Sequence, residues 1–285
     1  MSSTDEGDGK KKYPILNLDA YSPEEVADRV VKVGAKKVLL PNSTTFMLGV
    51  VAGGFISIGV LFKLTTLANP DISDSLGLVI APLFYAMGYF MAFTAGTEIF
   101  TTNNLAVMSY ASRKVTGWQL TVNWVTVLFA NGLGALSIAV MVVLSGKIFA
   151  YDGELAVYTV QLSFDKISYS PLQMIFQGVL ANILICSGAW IAMAGRSVTD
   201  ISFALFLPVS AVSAMGFQHA AGNMSHMFIS LMVLSDVDTP ELSGDISLLT
   251  ISQNLSLVAF GNVVGGGIFI GLIYYFIYLY NNWDE

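Results

Sequence analysis

The sequence is dominated by long apolar stretches that carry almost no charge. Charged residues make up 12% of the 285 residues, whereas a soluble domain has about 25%. Because a backbone without water must satisfy its own amides, an apolar segment of about 20 residues predicts a membrane-spanning helix. Six such segments are predicted, at about 43–66, 77–110, 118–146, 172–195, 199–234 and 250–280.

The second and fifth segments are longer than one straight span needs, and each has a polar interruption. One interruption runs from Gly96 to Asn103 and the other from Gly216 to Asn223, so each leads from a glycine to an asparagine seven residues later. Such paired breaks in matching halves are typical of a transporter with a midplane site. We therefore expect an all-α membrane protein with six transmembrane helices in two inverted three-helix repeats, in which the second and fifth helices are broken.

Basic residues indicate the orientation, since Lys and Arg are retained on the cytoplasmic side. With the N-terminus inside, ten basic residues are cytoplasmic and three, Lys63, Lys147 and Lys166, are external. Both termini are therefore expected in the cytoplasm. The N-terminus lacks the apolar core of a signal peptide.

Four regions are expected along the chain. Residues 1–18 are predicted to form a disordered cytoplasmic tail, 19–41 a cytoplasmic amphipathic helix, 42–280 the transmembrane channel domain and 281–285 a second cytoplasmic tail. The capping box Ser22-Pro23-Glu24-Glu25 opens the amphipathic helix. That helix is expected to lie on the membrane surface, either as an anchor or as a lid over a pore.

Few ionisable side chains fall inside the apolar segments, and such side chains are costly at that depth and usually functional. They are Glu98, His219 and His226, with Lys166 just outside the fourth segment. Each has a structural alternative, such as capping a helix break. A metal site of Glu98, His219 and His226 is a further alternative, although dinuclear sites usually have several carboxylates. No cofactor or metal is expected.

Several motifs occur in order along the chain. They are Gly96 to Asn103, Ala181-Asn182, Gly195-Arg196-Ser197, Leu207-Pro208-Val209, Gly216 to Met224 and Gly261 to Gly267. At these residues the sequence resembles the formate/nitrite transporter family. The resemblance implies an aquaporin-like protomer with its own pore, assembled into a homopentamer in the cytoplasmic (inner) membrane.

The resemblance also implies roles for individual residues. His219 matches the central pore histidine and Thr101 the loop threonine that hydrogen-bonds it. Asn182 and Lys166 match residues that tune the outer vestibule, and Asn223 matches the asparagine one turn after the histidine. The other candidate pore residues are Phe100, Tyr85 and Tyr89 at the apolar constrictions, and Asn262 and Glu98 within the motifs.

Four positions depart from the family pattern. Gln218 replaces a common glutamate, Val212 an aromatic residue and Gly222 a small side chain, and His226 is additional. The expected function is transport of small monovalent anions or their weak acids, of the formate, nitrite or hydrosulfide type. Protons and the lipid bilayer are further expected partners, and nucleic acid is not.

Other functional classes stay open from the sequence. A neutral-solute channel suits the repeat, but the paired Asn-Pro-Ala signature of aquaporins is missing. The enzyme motifs His-Glu-x-x-His and Gly-x-Ser-x-Gly are also missing. A structural scaffold would not need two broken helices and a midplane histidine.

Overall fold

The structure, a computed structural model, describes residues 19–237 and 246–280. Within these ranges the chain is helical apart from short connections and contains no strand. The helices are α1 Pro23–Val38, α2 Asn42–Leu67, α3 Asp74–Thr94, α4 Val107–Ala111, α5 Gly117–Leu144, α6 Glu154–Ile167, α7 Pro171–Ala194, α8 Val198–Ala214, α9 Ala220–Val233 and α10 Leu248–Tyr278. The two predicted tails, 1–18 and 281–285, lie outside the described residues.

Five of the described helices, α2, α3, α5, α7 and α10, are long and apolar enough to cross a membrane. Helix α8 is also apolar but shorter, with 17 residues. The predicted segments 77–110 and 199–234 each contain two helices in sequence, α3 with α4 and α8 with α9.

Helices α3 and α8 end in the same way. Each is followed by a glycine in the left-handed region, Gly96 and Gly216, both with φ of 69°. The next amide turns back to the helix, so that Thr97 N–H donates to the Ala92 carbonyl as Phe217 N–H does to the Val212 carbonyl, both at 3.1 Å. This is the Schellman arrangement, which glycine allows because it has no Cβ. The chain therefore leaves the helix inside each long apolar segment.

Glycines let the long helices approach closely. A Cβ on Gly53 of α2 would lie 2.0 Å from the carbonyl oxygen of Asn131 in α5. In the same way, a Cβ on Gly261 of α10 would lie 2.2 Å from the carbonyl oxygen of Ile175 in α7. The helix pairs α2–α5 and α7–α10 are consequently in backbone contact, as small residues permit between membrane helices.

Two features differ from the sequence-based expectation. The predicted connection before the fourth segment contains α6, whose buried residues pack against α9. Its amphipathic pattern is not the long apolar signal that identified the other helices. Within α10 the residues Val264–Leu272 form a π-helical stretch. This stretch includes three consecutive glycines, which have no side chain to oppose the wider helical turn.

Candidate functional site

Two cavities are lined by residues of the helix breaks, one at each break. The Lys37 cavity, about 200 Å³, lies beside α1 and is lined by residues such as Lys37, Gly96, Thr97 and Asn103. The Lys166 cavity, about 80 Å³, is lined by residues that include Lys166, Tyr85, Gly216 and His219. The Lys37 cavity therefore contains one lysine and the glycine of the first break, and the Lys166 cavity contains two lysines, Lys63 and Lys166, and the glycine of the second.

His219 caps helix α9 with its side chain. The N–H of Gly222 donates to His219 Nδ1 at 3.0 Å. A backbone N–H can only donate, so Nδ1 must be the unprotonated acceptor, and a neutral ring carries its proton on Nε2. Thr101 Oγ1 lies 2.9 Å from Nε2. The geometry brings His219 and Thr101 into the contact that the sequence comparison predicted.

Two tyrosines of α3 place hydroxyl groups against the same imidazole. Tyr85 Oη lies 3.3 Å and Tyr89 Oη 3.0 Å from His219 Nδ1. Tyr89 Oη also contacts Nε2 and lies 3.2 Å from Thr101 Oγ1. The sequence placed both tyrosines at an apolar constriction. The structure adds that their polar ends meet the histidine, so this part of the site is not purely apolar.

Gly222 leaves the room that the Tyr85 hydroxyl occupies. A Cβ at position 222 would lie 2.8 Å from Tyr85 Oη and 3.3 Å from His219 Nδ1. The unusual glycine and the tyrosine therefore depend on each other, which accounts for one of the four departures from the family pattern.

The first break is fixed by a buried polar cluster that includes a cation. Lys37 Nζ of α1 lies 3.1 Å from Glu98 Oε1 and donates to the Thr97 carbonyl at 3.1 Å. Asn103 Nδ2 donates to Glu98 Oε2 at 2.5 Å and to Asn123 Oδ1 at 3.1 Å. Glu98 is thus paired with a lysine, whereas the sequence suggested capping, pore lining or metal binding for this carboxylate.

The second break has the same amide framework without the carboxylate. Asn223 Nδ2 donates to Gln218 Oε1 at 2.8 Å and to Asn254 Oδ1 at 2.9 Å. Lys166 Nζ donates to the Gly216 carbonyl. Gln218 therefore stands where the first break has Glu98, and both Asn223 donors are bonded within the protein.

A matched pair of asparagines holds the backbone of the two breaks. Asn131 Oδ1 accepts from Phe100 N–H at 3.0 Å, as Asn262 Oδ1 accepts from Ala220 N–H at 3.1 Å. Asn262 Nδ2 donates to the carbonyls of Gly178 and Gln218 at 2.8 and 3.4 Å. A buried amide that bonds three backbone groups positions the break and lines neither cavity.

Lys166 lies on α6, close to the Asp165 carboxylate. Burial lowers the pKa of the Lys166 ammonium to about 8, although the charge of Asp165 acts in the opposite direction. The side chain is buried, and it is nonetheless among the residues that line the cavity. Below about pH 8 the ammonium carries its positive charge towards the cavity.

Six of the ten predicted pore residues are not in the wall of either cavity, namely Thr101, Tyr89, Glu98, Asn262, Phe100 and Asn182. The Phe100 ring packs in an apolar cluster with residues such as Val127 and Met174. Asn182 Nδ2 donates to the Thr101 carbonyl at 3.3 Å and to the Asn262 carbonyl at 2.7 Å. Asn182 therefore binds the backbone of Thr101. It is not among the residues that line the cavity with Lys166, with which the sequence analysis grouped it.

The structure does not bring the three suggested metal ligands together. Glu98 pairs with Lys37, and His226 Nδ1 lies 2.8 Å from Ser163 Oγ. Within the described ranges, no group of three His, Cys, Asp or Glu side chains could hold a metal ion.

The sequence reading missed several residues of the site. Lys37 and Lys63 were used only as topological charges, yet each lines a cavity. Asn254, whose Nδ2 donates to the Lys166 carbonyl at 2.9 Å, was not singled out. The spacing of polar residues on the third helix of each half, Asn123 with Asn131 and Asn254 with Asn262, was the available signal.

Known proteins resemble this chain along most of its length. The sequence model of the family described as "Formate/nitrite transporter" matches residues 24–276. The "Formate channel FocA" of Escherichia coli (strain K12) is 31% identical over 277 residues, which cover 93% of this chain and 97% of that channel. The chain belongs to the formate/nitrite transporter family. It is accordingly a multi-pass membrane protein of a transport family.

Other members of the formate/nitrite transporter family match along nearly the whole chain. The "Formate channel BtFdhC" of Bacillus thuringiensis is 27% identical, over 90% of this chain and 96% of that channel. Among solved structures, a "Pentameric formate channel with formate bound" has a TM-score of 0.75 and 27% identity, covering 84% of this chain and 98% of the other. An "FNT family ion channel" shares the fold, with a TM-score of 0.76 at 19% identity over 90% of this chain and 98% of the other.

Proposed function

We propose that this protein conducts formate, nitrite or a similar small monovalent anion across the cytoplasmic membrane, with the substrate crossing the centre as its neutral weak acid. The proposal is carried by His219 with its hydroxyl partners, which lines the cavity that also contains Lys63 and Lys166. The FocA relative is named a formate channel, and the pentameric relative was solved with formate bound.

The proposed architecture has six spans in two inverted repeats, with the aquaporin-like arrangement of a pore within each protomer. The matched clusters around Glu98 and Gln218 support the repeat, because four hydrogen bonds of the first break recur at matching residues of the second. We place both termini in the cytoplasm, the Lys37 cavity on the inner side and the Lys166 cavity on the outer side. The pentameric relative supports a homopentamer.

Lys166 acts before the substrate reaches the centre. An anion entering an apolar constriction loses hydration at a cost of several kcal/mol. The positive charge of Lys166 raises the anion concentration in the outer cavity. There the anion takes a proton from hydronium, and water is released, so that a neutral acid proceeds. The proton therefore enters with the substrate and is released on the inner side.

His219 serves as a hydrogen-bond donor in this scheme. Its Nδ1 accepts from Gly222 N–H, so the neutral ring has only the Nε2 proton to offer. Giving that proton away completely would leave an imidazolate, which is far too basic to persist in a buried site. The ring therefore donates a hydrogen bond from Nε2 to the passing acid, in place of the one shared with Thr101 and Tyr89.

Uptake by proteoliposomes tests the function. Formate, nitrite and hydrosulfide are each presented at acidic and at neutral pH, with empty liposomes and glycerol as controls. We expect saturable uptake that increases as the pH falls, beyond the increase in empty liposomes. Uptake of glycerol with none of the three anions would instead favour the neutral-solute channel.

The variant His219→Asn tests the role of the imidazole. Asparagine is a good N-cap residue, so helix α9 keeps an acceptor for Gly222 N–H while the Nε2 donor is removed. We expect normal assembly with formate uptake reduced to near the level of empty liposomes. Wild-type uptake in this variant would show that the imidazole has no part in conduction.

A further inference from the structure

The Lys166 cavity has an unusual set of charges. Its ionisable lining residues are Lys63, Lys166, His219 and His226, with Tyr85 between them, and no Asp or Glu is among the lining residues that the structure describes. A cavity with two ammonium groups and no carboxylate has a positive potential, since the opposing charges that usually neutralise buried lysines are missing from its wall.

Lys63 is the less expected of the two lysines. It lies in the last turns of α2, and its Nζ is 5.8 Å from the centre of the Tyr85 ring. Within residues 19–237 and 246–280 its ammonium has no carboxylate partner or hydrogen-bond acceptor. Lys63 and Lys166 line the same cavity of about 80 Å³, so their positive charges repel one another there. An anion placed between them would remove that repulsion.

The neighbouring polar groups do not supply the missing negative charge. Lys166 Nζ donates to the neutral Gly216 carbonyl, which leaves two of its three protons for another acceptor. The adjacent Asp165 is exposed and accepts from Gln161 Nε2 at 2.8 Å. His226 is bonded to Ser163 Oγ, and a histidine cannot contribute a negative charge here.

The Lys37 cavity provides the contrast within the same molecule. There the single ammonium lies 3.1 Å from the Glu98 carboxylate. At the matched position of the second break the side chain is the uncharged Gln218, which is bonded to Asn223 and Asn254. The amide framework of the two breaks is the same, and the side chain at the matched position is charged in the first break and neutral in the second.

We propose that the Lys166 cavity is an anion-binding site in which Lys63 and Lys166 together hold a small inorganic anion in its charged form. The ligand class includes anions of strong acids, such as chloride. These anions stay unprotonated in water, so they cannot cross the centre as a neutral acid. The cavity of about 80 Å³ matches an anion of one to three heavy atoms, because a water molecule takes about 30 Å³. Chloride would therefore occupy the site and compete with formate for it. The competition, unlike the binding, rests on the proposed function, because it requires that formate enters through this cavity.

Chloride binding to the full-length purified protein tests the site directly. The line width of the chloride nuclear magnetic resonance signal is measured during titration, with gluconate as the larger balancing anion. We expect Lys63→Met to weaken binding about tenfold, since it removes one of two nearby charges. Lys63→Arg keeps the charge and should stay within about twofold of wild type. Lys147→Met, at an exposed lysine away from the cavity, is the control and should bind as wild type does.

Gln218→Glu gives a second, independent variant. It introduces the carboxylate that the first break has in Glu98, next to the same amide partners, and should weaken chloride binding. No broadening in wild type, or equal broadening in wild type and Lys63→Met, would overturn the proposal.

Formate uptake measured alongside separates this proposal from the proposed function. Chloride binding that depends on Lys63 without any formate uptake would support the anion site and refute the formate channel. Formate uptake without chloride binding would do the reverse. If both hold, replacing external gluconate by chloride should raise the formate concentration needed for half-maximal uptake, and Lys63→Met should reduce that effect.

Discussion

At the residue scale, the contact between Tyr85 and Gly222 couples the pore wall to the histidine. The tyrosine hydroxyl fills the space where other small side chains would place a Cβ, 2.8 Å from that position. The same hydroxyl lies 3.3 Å from His219 Nδ1. A change in either residue therefore moves the group that carries the proposed function.

Gly222→Ala is expected to reduce both stability and formate uptake. The new methyl group meets the end of a rigid ring, and such overpacking costs about 1–3 kcal/mol. Tyr85→Phe removes the hydroxyl, so the double variant Gly222→Ala/Tyr85→Phe should recover most of the stability. Thermal unfolding in detergent measures it. Gly132→Ala is the control, because its Cβ would meet only the flexible Met224 thioether, at 3.4 Å. Additive losses in the double variant would contradict the coupling.

Lys166 should give formate uptake a second pH dependence. Burial lowers its pKa to about 8, so the ammonium is charged below that pH and loses its charge as the pH rises through it. We expect the formate concentration for half-maximal uptake to rise over that interval. Arginine stays charged, so Lys166→Arg should lack this step while it keeps the rise in uptake at acidic pH. If wild type and Lys166→Arg show the same change in half-maximal formate concentration at alkaline pH, the step arises from a group other than Lys166.

At the scale of the elements, α1 is attached to the first break by a buried ion pair. Lys37 of α1 meets Glu98, which is 1% exposed, and also contacts Asn103. Helix α1 therefore does more than lie on a surface, because it supplies the only cation that the described structure gives to this carboxylate.

Lys37→Met should be strongly destabilising, since removing one partner of a buried pair costs about 3–5 kcal/mol. The double variant Lys37→Met/Glu98→Gln recreates the neutral arrangement of the second break and should recover most of that loss. Hydrogen exchange of α1 amides, together with thermal unfolding, measures both variants. A double variant no more stable than the single one would show that the cost does not arise from an unpaired Glu98.

The sequence allowed the helix breaks to be predicted because their signals are local. Gly96 and Gly216 have the left-handed φ that ends each helix, and the polar run after each glycine was visible. The Lys37–Glu98 pair joins positions sixty-one residues apart and depends on how α1 packs, which periodicity does not contain. Helix α6 was missed for another reason, because its apolar face is too short to read as a span.

At the scale of the whole molecule, one chain supplies His219 together with its partners Thr101, Tyr85 and Tyr89. Residues of the same chain form the walls described for both cavities. We therefore propose that a pentamer contains five independent pores, each with its own histidine and lysines.

Mixed assemblies test this independence. Protomers of wild type and His219→Asn are co-expressed in varied ratios, and the assemblies are weighed by native mass spectrometry, where five copies are expected. Formate uptake should fall in proportion to the wild-type fraction. A much steeper fall would mean that the protomers of one assembly conduct cooperatively. As a control for assembly, a tagged wild-type protomer is co-expressed in place of the variant.

The capping contact of His219 has a consequence for how such proteins can diverge. Because Nδ1 holds the first turn of α9 through Gly222 N–H, a substitution by a side chain without an acceptor removes a structural bond as well as a pore group. Drift to apolar residues at this codon is thus opposed by folding even in a lineage that no longer transports the ancestral substrate, whereas asparagine would keep the cap. A capping side chain at this position should consequently outlast the activity it serves, and its presence in a relative is a poor guide to that relative's cargo.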